Sequence, residues 1–341
     1  MLYTFTIIVL LTFVLYFAVY NKVKLPKNID SLINEVKNER LPEFVIGKTA
    51  FVNNTGVKIA YEIIENKKPN GETIVLVSGH GQSKLIWPSY FYRPFLDQGY
   101  SVIKYDNRGL GESDWIIDWS KESPYTLEDM ATDAIAILDS LNIEKAHFIG
   151  MSMGAMISQR IAISYPTRIS TLTSVMSTGF YDDPALVSVS KRFYSNIIGI
   201  TLLYGRKLKT NSQKMKFFLS TQRLLQGKRD NTINDKEILQ KAYFELKVRK
   251  GFNLKVSNQH TFAIKASGSR YNELERIRVP CLIIHGTNDP LIKIEHAKKY
   301  AQLIPNAKTL FIKKMGHDLP EKYIPDIHKS IFKTLKINKL N

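Results

Sequence analysis

At 341 residues, 44% hydrophobic and 11% aromatic, the chain can fill a large core, which excludes disordered, collagen-like and coiled-coil classes. A single cysteine, Cys281, excludes an intramolecular disulfide framework and a multi-cysteine zinc site. The net charge of +17 points to an anionic partner (nucleic acid, acidic membrane or acidic substrate) unless it reflects a general lysine bias.

The first element is apolar. No charged side chain occurs from Met1 to Asn21, and about 20 such residues at ~1.5 Å rise cover a hydrocarbon core of ~30 Å. No Lys or Arg precedes the run, and it ends on the bulky pair Val19–Tyr20, unlike a cleaved signal peptide. Residues 1–21 are therefore expected to be a single-pass transmembrane anchor. Lys22, Lys24 and Lys27 follow at once, which by the positive-inside rule places the folded domain in the cytoplasm. Residues 22–46 read as a linker, in which Ile29, Leu32, Ile33 and Val36 have the spacing of a short docking helix.

From residue 47 short β-rich runs alternate with amphipathic stretches. Strands are expected at 57–64, 73–78, 101–106, 145–150, 169–175, 280–285 and 308–313. Helices are expected at 127–141, with Thr126 as N-cap, and at 153–164, 293–304 and 321–335. The central runs are apolar on both faces, as strands covered on both sides should be. The alternation predicts a doubly wound, mostly parallel α/β sheet, with core segments 47–177 and 269–341. Between them, 178–268 lacks a buried strand pattern and reads as a helical cap. Most of the net basic charge falls in that interval, so the charge belongs to the insertion rather than to the whole chain.

Four motifs carry chemistry. Gly150-Met151-Ser152-Met153-Gly154 follows a strand and opens a helix, the context in which G-x-S-x-G lifts a serine hydroxyl above a sheet. The free amides of that helix end favour a developing anion. Asp289, in His285-Gly286-Thr287-Asn288-Asp289-Pro290, stands past a late strand where an orienting acid belongs. It also suits the cap of a helix started by Pro290, and His285 reads as a packed residue. His317, in Met315-Gly316-His317-Asp318, follows the last strand and supplies a base. The chain order Ser152, Asp289, His317 is that of a hydrolase triad on such a sheet. In Ser78-Gly79-His80-Gly81-Gln82-Ser83, a Gly-rich loop can aim a backbone N–H at an oxyanion. It lacks G-x-x-x-x-G-K-[ST], so no nucleotide site is expected.

From about residue 50 to 335 the chain resembles the α/β-hydrolase superfamily, with Tyr105–Ser113 (YDNRGLGES) similar to a family stretch. Ser78–Pro88 (SGHGQSKLIWP) and Gly150–Ala155 (GMSMGA) resemble anthracycline methyl esterases and related carboxylesterases. The resemblance implies Ser152 as nucleophile, His317 as base, Asp289 as its orienting acid, and the N–H groups of His80 and Met153 as oxyanion donors. The family usually has His-Gly where this chain has Ser78-Gly79. The other register, His80-Gly81, makes Gln82 the donor.

The expected activity is hydrolysis of a small-molecule or lipid carboxylic ester through an acyl-enzyme, with no metal or organic cofactor. Lipase, thioesterase, aminopeptidase and carbon–carbon hydrolase chemistry share these residues, and a non-enzymatic receptor could use the same pocket. No nucleic-acid motif accompanies the basic charge. The basic cap can face anionic lipid, with Phe193, Tyr194, Phe217, Phe218 and Leu219 lining a pocket or entering the interface.

Overall fold

The computed structural model describes residues 24–66, 71–187, 189–205, 208–226 and 234–337. The apolar run 1–21 lies outside them, and among the described residues no helix is long and apolar enough to cross a membrane.

Eight strands form one sheet: β1 (Lys48–Asn54), β2 (Val57–Ile64), β3 (Thr73–Val77), β4 (Ser101–Tyr105), β5 (Ala146–Met151), β6 (Ile169–Val175), β7 (Cys281–Gly286) and β8 (Lys308–Ile312). Their order is β1-β2-β4-β3-β5-β6-β7-β8. The β1–β2 and β2–β4 pairs are antiparallel, and every pairing from β4 to β8 is parallel. The seven expected strands occur within a residue or two of their predicted ends. Strand β1 was not expected. It is an edge strand with no fully buried residue, so its sequence carries no clear apolar alternation.

The helices flanking the sheet are α2 (Ser89–Asp97), α3 (Leu127–Ser140), α4 (Met153–Ser164), α9 (Ile294–Leu303) and α10 (Ile324–Ile337). Helix α3 starts in a capping box between Thr126 and Asp129, two otherwise orphaned donors satisfied reciprocally. Helix α2 was missed because it holds Pro94, a residue that breaks helical patterns. Two apolar clusters cover the faces of the sheet. One gathers Val75, Phe148, Met156 and Ile283; the other gathers Leu76, Phe91, Ile149 and Ile327.

The insertion between β6 and β7 carries α5 (Lys191–Ile200), α6 (Asn211–Leu225), α7 (Asp235–Lys247) and α8 (Val256–Ala266). Its two ends meet, since the Arg270 N–H donates to the Gly179 carbonyl at 3.0 Å. The cap has its own core, and an N-terminal helix completes it. In α1 (Ile29–Asn38), Ile29, Ile33 and Val36 pack with Met215, Leu219, Leu239 and Ala242. Part of the expected linker is thus a helix docked on the cap. Its acidic residues and Glu39 just past it reach cap lysines: Asp30–Lys216 at 2.7 Å, Glu35–Lys236 at 2.6 Å and Glu39–Lys236 at 2.8 Å.

Candidate active site

The loops that hold the chemistry leave the C-terminal ends of parallel strands, where an open α/β sheet binds its ligands. Ser152 follows β5 with φ 55° and ψ −120°, a left-handed conformation that L-residues adopt only when the surroundings enforce it. Two hydrogen bonds enforce it. The Ser152 N–H donates to the Val175 carbonyl at 2.8 Å, and Ser177 Oγ donates to the Ser152 carbonyl at 2.8 Å. The flanking glycines are steric necessities. A Cβ on Gly154 would lie 2.1 Å from the Val77 carbonyl oxygen, and one on Gly150 would lie 2.3 Å from that of Gly154.

Asp289 and His317 come from loops joined by their backbones. Thr287 N–H donates to the Ile312 carbonyl and Asn288 N–H to that of Met315, both at 3.0 Å. The Asp289 carboxylate is fully engaged. Oδ1 accepts the N–H groups of Leu291 and Ile292 at 2.8 Å each, and Oδ2 accepts His317 Nδ1 at 2.7 Å. With Nδ1 donating, Nε2 is the basic nitrogen of the ring. Ser152, Asp289 and His317 are 7%, 2% and 6% exposed. The Oδ1 bonds make Asp289 the cap of a turn as well. Pro290 does not begin the next helix, however, which starts at Ile294. His285 is packed beside this acid, with Nε2 donating to the Ile292 carbonyl at 2.8 Å, and burial lowers its pKa. Burial pushes the neighbouring Asp318 carboxyl up to about 6; the His317 ring opposes the shift and the Asp289 charge adds to it.

Beside the elbow runs the loop after β3. A Cβ on Gly79 would sit 3.2 Å from the Met151 carbonyl oxygen and 3.3 Å from Ser152 Cβ, so the loop passes tightly against the elbow. The Gly81 N–H donates to His260 Nδ1 at 3.1 Å and the Gln82 N–H to the Gly79 carbonyl at 3.2 Å. Both amides are therefore committed within the protein, Gln82's included. The His80 ring turns toward α8, where Nε2 meets the Ser257 carbonyl at 2.9 Å and Thr261 Oγ1 at 3.0 Å. Burial lowers the pKa of His80 and takes His260 down to about 3, the His80 ring adding to the latter shift.

A buried ionic cluster ties the cap to this loop. Arg249 pairs with Asp106 after β4, with Glu245 at 2.7 Å and with Glu112 at 3.3 Å. Lys84 joins Glu112 at 3.1 Å, and Ser83 Oγ donates to Glu245. Burial raises the Glu245 carboxyl to about 7; Arg249 opposes the shift and the Asp106 charge adds to it. Glu245 also lines a cavity of ≈ 100 Å³ with Gln82, Leu110, Phe218, Ile238 and Phe252. His260, Glu245 and Arg249 were not anticipated, because each acts on a partner more than 130 residues away. Of the aromatic and apolar cap residues, Phe193 and Leu219 are buried, Phe218 stacks on Phe252 and Tyr194 is exposed. Among the described residues no cluster of His, Cys, Asp and Glu could hold a metal.

The family described as alpha/beta hydrolase fold matches residues 72–322. The rhodomycin D methylesterase DauP of Streptomyces sp. strain C5 is 30% identical over 268 residues, covering 74% of this chain and 87% of that protein. This accords with the anthracycline methyl esterase resemblance read from the motifs. An esterase from Exiguobacterium antarcticum superimposes with a TM-score of 0.63 at 19% identity, covering 85% of this chain and all of that one. A membrane phospholipase A described as a bacterial virulence factor gives a TM-score of 0.62 at 20% identity, covering 95% of this chain and 98% of that one. These two share the fold. The chain belongs to the alpha/beta hydrolase fold family.

Proposed function

We propose that the protein is a serine hydrolase cleaving a carboxylic ester through an acyl-enzyme on Ser152, held on a membrane by residues 1–21. The 2.7 Å bond from His317 Nδ1 to Asp289 Oδ2, on loops that leave the same end of the parallel sheet as the strained Ser152, carries this reading. It leaves Nε2 free to take the Ser152 proton as Oγ attacks the ester carbonyl. Asp289 holds the tautomer and stabilises the imidazolium. The oxyanion is received by the N–H groups of Met153, at the first turn of α4, and His80. Gln82 is a poorer donor, its amide being bonded to Gly79. Water then attacks the acyl-enzyme with His317 again as base. The methylesterase relative supports an ester rather than a peptide substrate. The mostly apolar cavity beside Gln82 and Ser83 suits the hydrocarbon part of such an ester.

The test is covalent labelling of Ser152 by a fluorophosphonate, together with turnover of p-nitrophenyl esters of increasing acyl length. Loss of label in Ser152→Ala and an optimum in the chain-length series support the proposal. Equal labelling of the variant, or no turnover of any ester, overturns it and leaves the receptor reading. Membrane attachment is tested by carbonate extraction, which should leave the full-length protein in the pellet. The cytoplasmic orientation predicted by Lys22, Lys24 and Lys27 is tested by protease added to sealed spheroplasts, which should spare the domain.

A further inference from the structure

Helix α5 presents a face that packing among the described residues does not account for. Phe193, Asn196 and Ile200 are buried, whereas Tyr194, Ile198 and, just past the helix, Leu202 stand 54%, 58% and 48% exposed. Spaced four residues apart, they line one side of the cylinder. Lys191 and Arg192 are exposed at the start of the same helix. A surface helix docked by one face turns polar residues outward. Three large apolar side chains in a row form instead a patch that calls for a cover.

A separate observation identifies the cover. Leu25, the first buried residue among those described, donates its N–H to the Tyr204 hydroxyl at 3.2 Å. Tyr204 is two residues beyond Leu202. From Asn21 to Leu25 is four residue steps, at most about 14 Å of fully extended chain. The uncharged run 1–21 therefore ends within that reach of the segment carrying the exposed face. The docking of α1 on α6 and α7 holds this juxtaposition in place.

We infer that the Tyr194–Ile198–Leu202 face of α5 lies in the headgroup–acyl boundary of an acidic bilayer, beside the point where the anchor enters it. This rests on the anchor reading above and adds the surface by which the cap itself meets lipid. An apolar stripe flanked by Lys and Arg is the composition of an interfacial helix, and each basic group near an acidic leaflet adds to binding. The cap thereby faces the lipid, and an ester substrate embedded in the bilayer approaches from the side of the cap.

The experiment places an environment-sensitive fluorophore at position 198 of the full-length protein (Ile198→Cys in a Cys281→Ser background). The carrier is phosphatidylcholine vesicles with or without phosphatidylglycerol. A control label replaces exposed Lys145, in the loop before β5. A blue shift at 198 with quenching by brominated acyl chains, on acidic vesicles and absent at 145, is the expected result. Vesicle-bound protein with a water-exposed label at 198 overturns the inference while the anchor stands. Protein that does not bind vesicles removes both. Shielding equal on vesicles without phosphatidylglycerol overturns the acidic-lipid assignment. Shielding in detergent alone, with a dimeric mass, assigns the face to a second copy of the chain. As a functional arm, Ile198→Asp with Leu202→Asp should slow hydrolysis of a vesicle-embedded ester about tenfold and leave a soluble short-chain ester unaffected. Equal loss on both substrates counts against the inference.

Discussion

The backbone N–H of His317 donates to the carbonyl of Leu225 at 2.7 Å. Leu225 is the last residue of α6, so the proposed catalytic base is held partly by the cap. Close by, Arg223 and Asp235 bridge α6 to α7 at 2.5 Å. Arg223→Ala should loosen the end of α6 and let the His317 loop drift. The expected outcome is a several-fold lower kcat with KM little changed, since misplacement of a reacting group weakens the transition state more than binding. Steady-state kinetics on a short ester check this, and an unchanged kcat would show that the Leu225 bond does not position the ring.

Substitutions at the three site residues should separate chemistry from structure. Ser152→Ala and His317→Ala are each expected to lower kcat by about 10³-fold or more. Asp289→Asn should do the same while keeping the turn, because an amide oxygen can still accept the Leu291 and Ile292 N–H groups. Asp289→Ala loses that turn as well and should destabilise the fold by a further ~1–3 kcal/mol. Denaturant melts compared with kinetics distinguish the two variants at 289.

Stability against pH should show two opposed contributions from the cap contacts. Burial, with the His80 ring adding to it, holds His260 at about 3, below its usual 6.5, and its unprotonated Nδ1 accepts the Gly81 N–H. Its contribution is present above pH 6.5 and is lost as pH falls toward 3. Glu245 is raised from 4.5 to about 7; its contribution is present below 4.5 and is lost as pH rises through 7. Between pH 5 and 7 the two oppose each other. Glu245→Gln should therefore gain Tm more steeply with rising pH across that window than the parent. His260→Asn should show Tm falling instead. Thermal melts at pH 5, 6 and 7 decide it, and parallel curves for all three proteins would refute the assignment.

Arg249 pairs with three carboxylates, those of Asp106, Glu112 and Glu245. Arg249→Met leaves Asp106 and Glu245 buried and uncompensated, which should cost about 3–5 kcal/mol. Because Asp106 Oδ1 also accepts the Lys84 N–H at 2.9 Å, activity should fall with stability as the loop after β3 loses its support. Urea unfolding of the parent and the variant measures the first effect, and kcat/KM the second.

The docking of α1 is testable by its buried face. Ile33 and Val36 are almost fully covered, and Ile33→Asp buries a charge with no partner. Limited proteolysis should then cut between residues 24 and 46, where the parent resists. Equal resistance would mean that the α1–cap core is not what holds this segment.

The sheet and the elbow were legible in the sequence for local reasons. Apolar runs of β5, β6 and β7 declare buried strands, and Gly150 and Gly154 announce a turn whose Cβ positions are already occupied. Position after a strand likewise marked Asp289 and His317, since these loops inherit their place from the parallel register. The cap's interior was not legible. His260 reaches Gly81, and Arg249 reaches Asp106, across separations of more than 140 residues, and no spacing along the chain encodes such pairings. The same holds for the register of the oxyanion loop. The run SGHGQS permits two donors, and only the folded structure commits the Gln82 amide to Gly79. A short helix at Ile29–Val36 could be read from periodicity, but its partner could not. Apolar spacing states that a face must be buried, and tertiary packing decides against what.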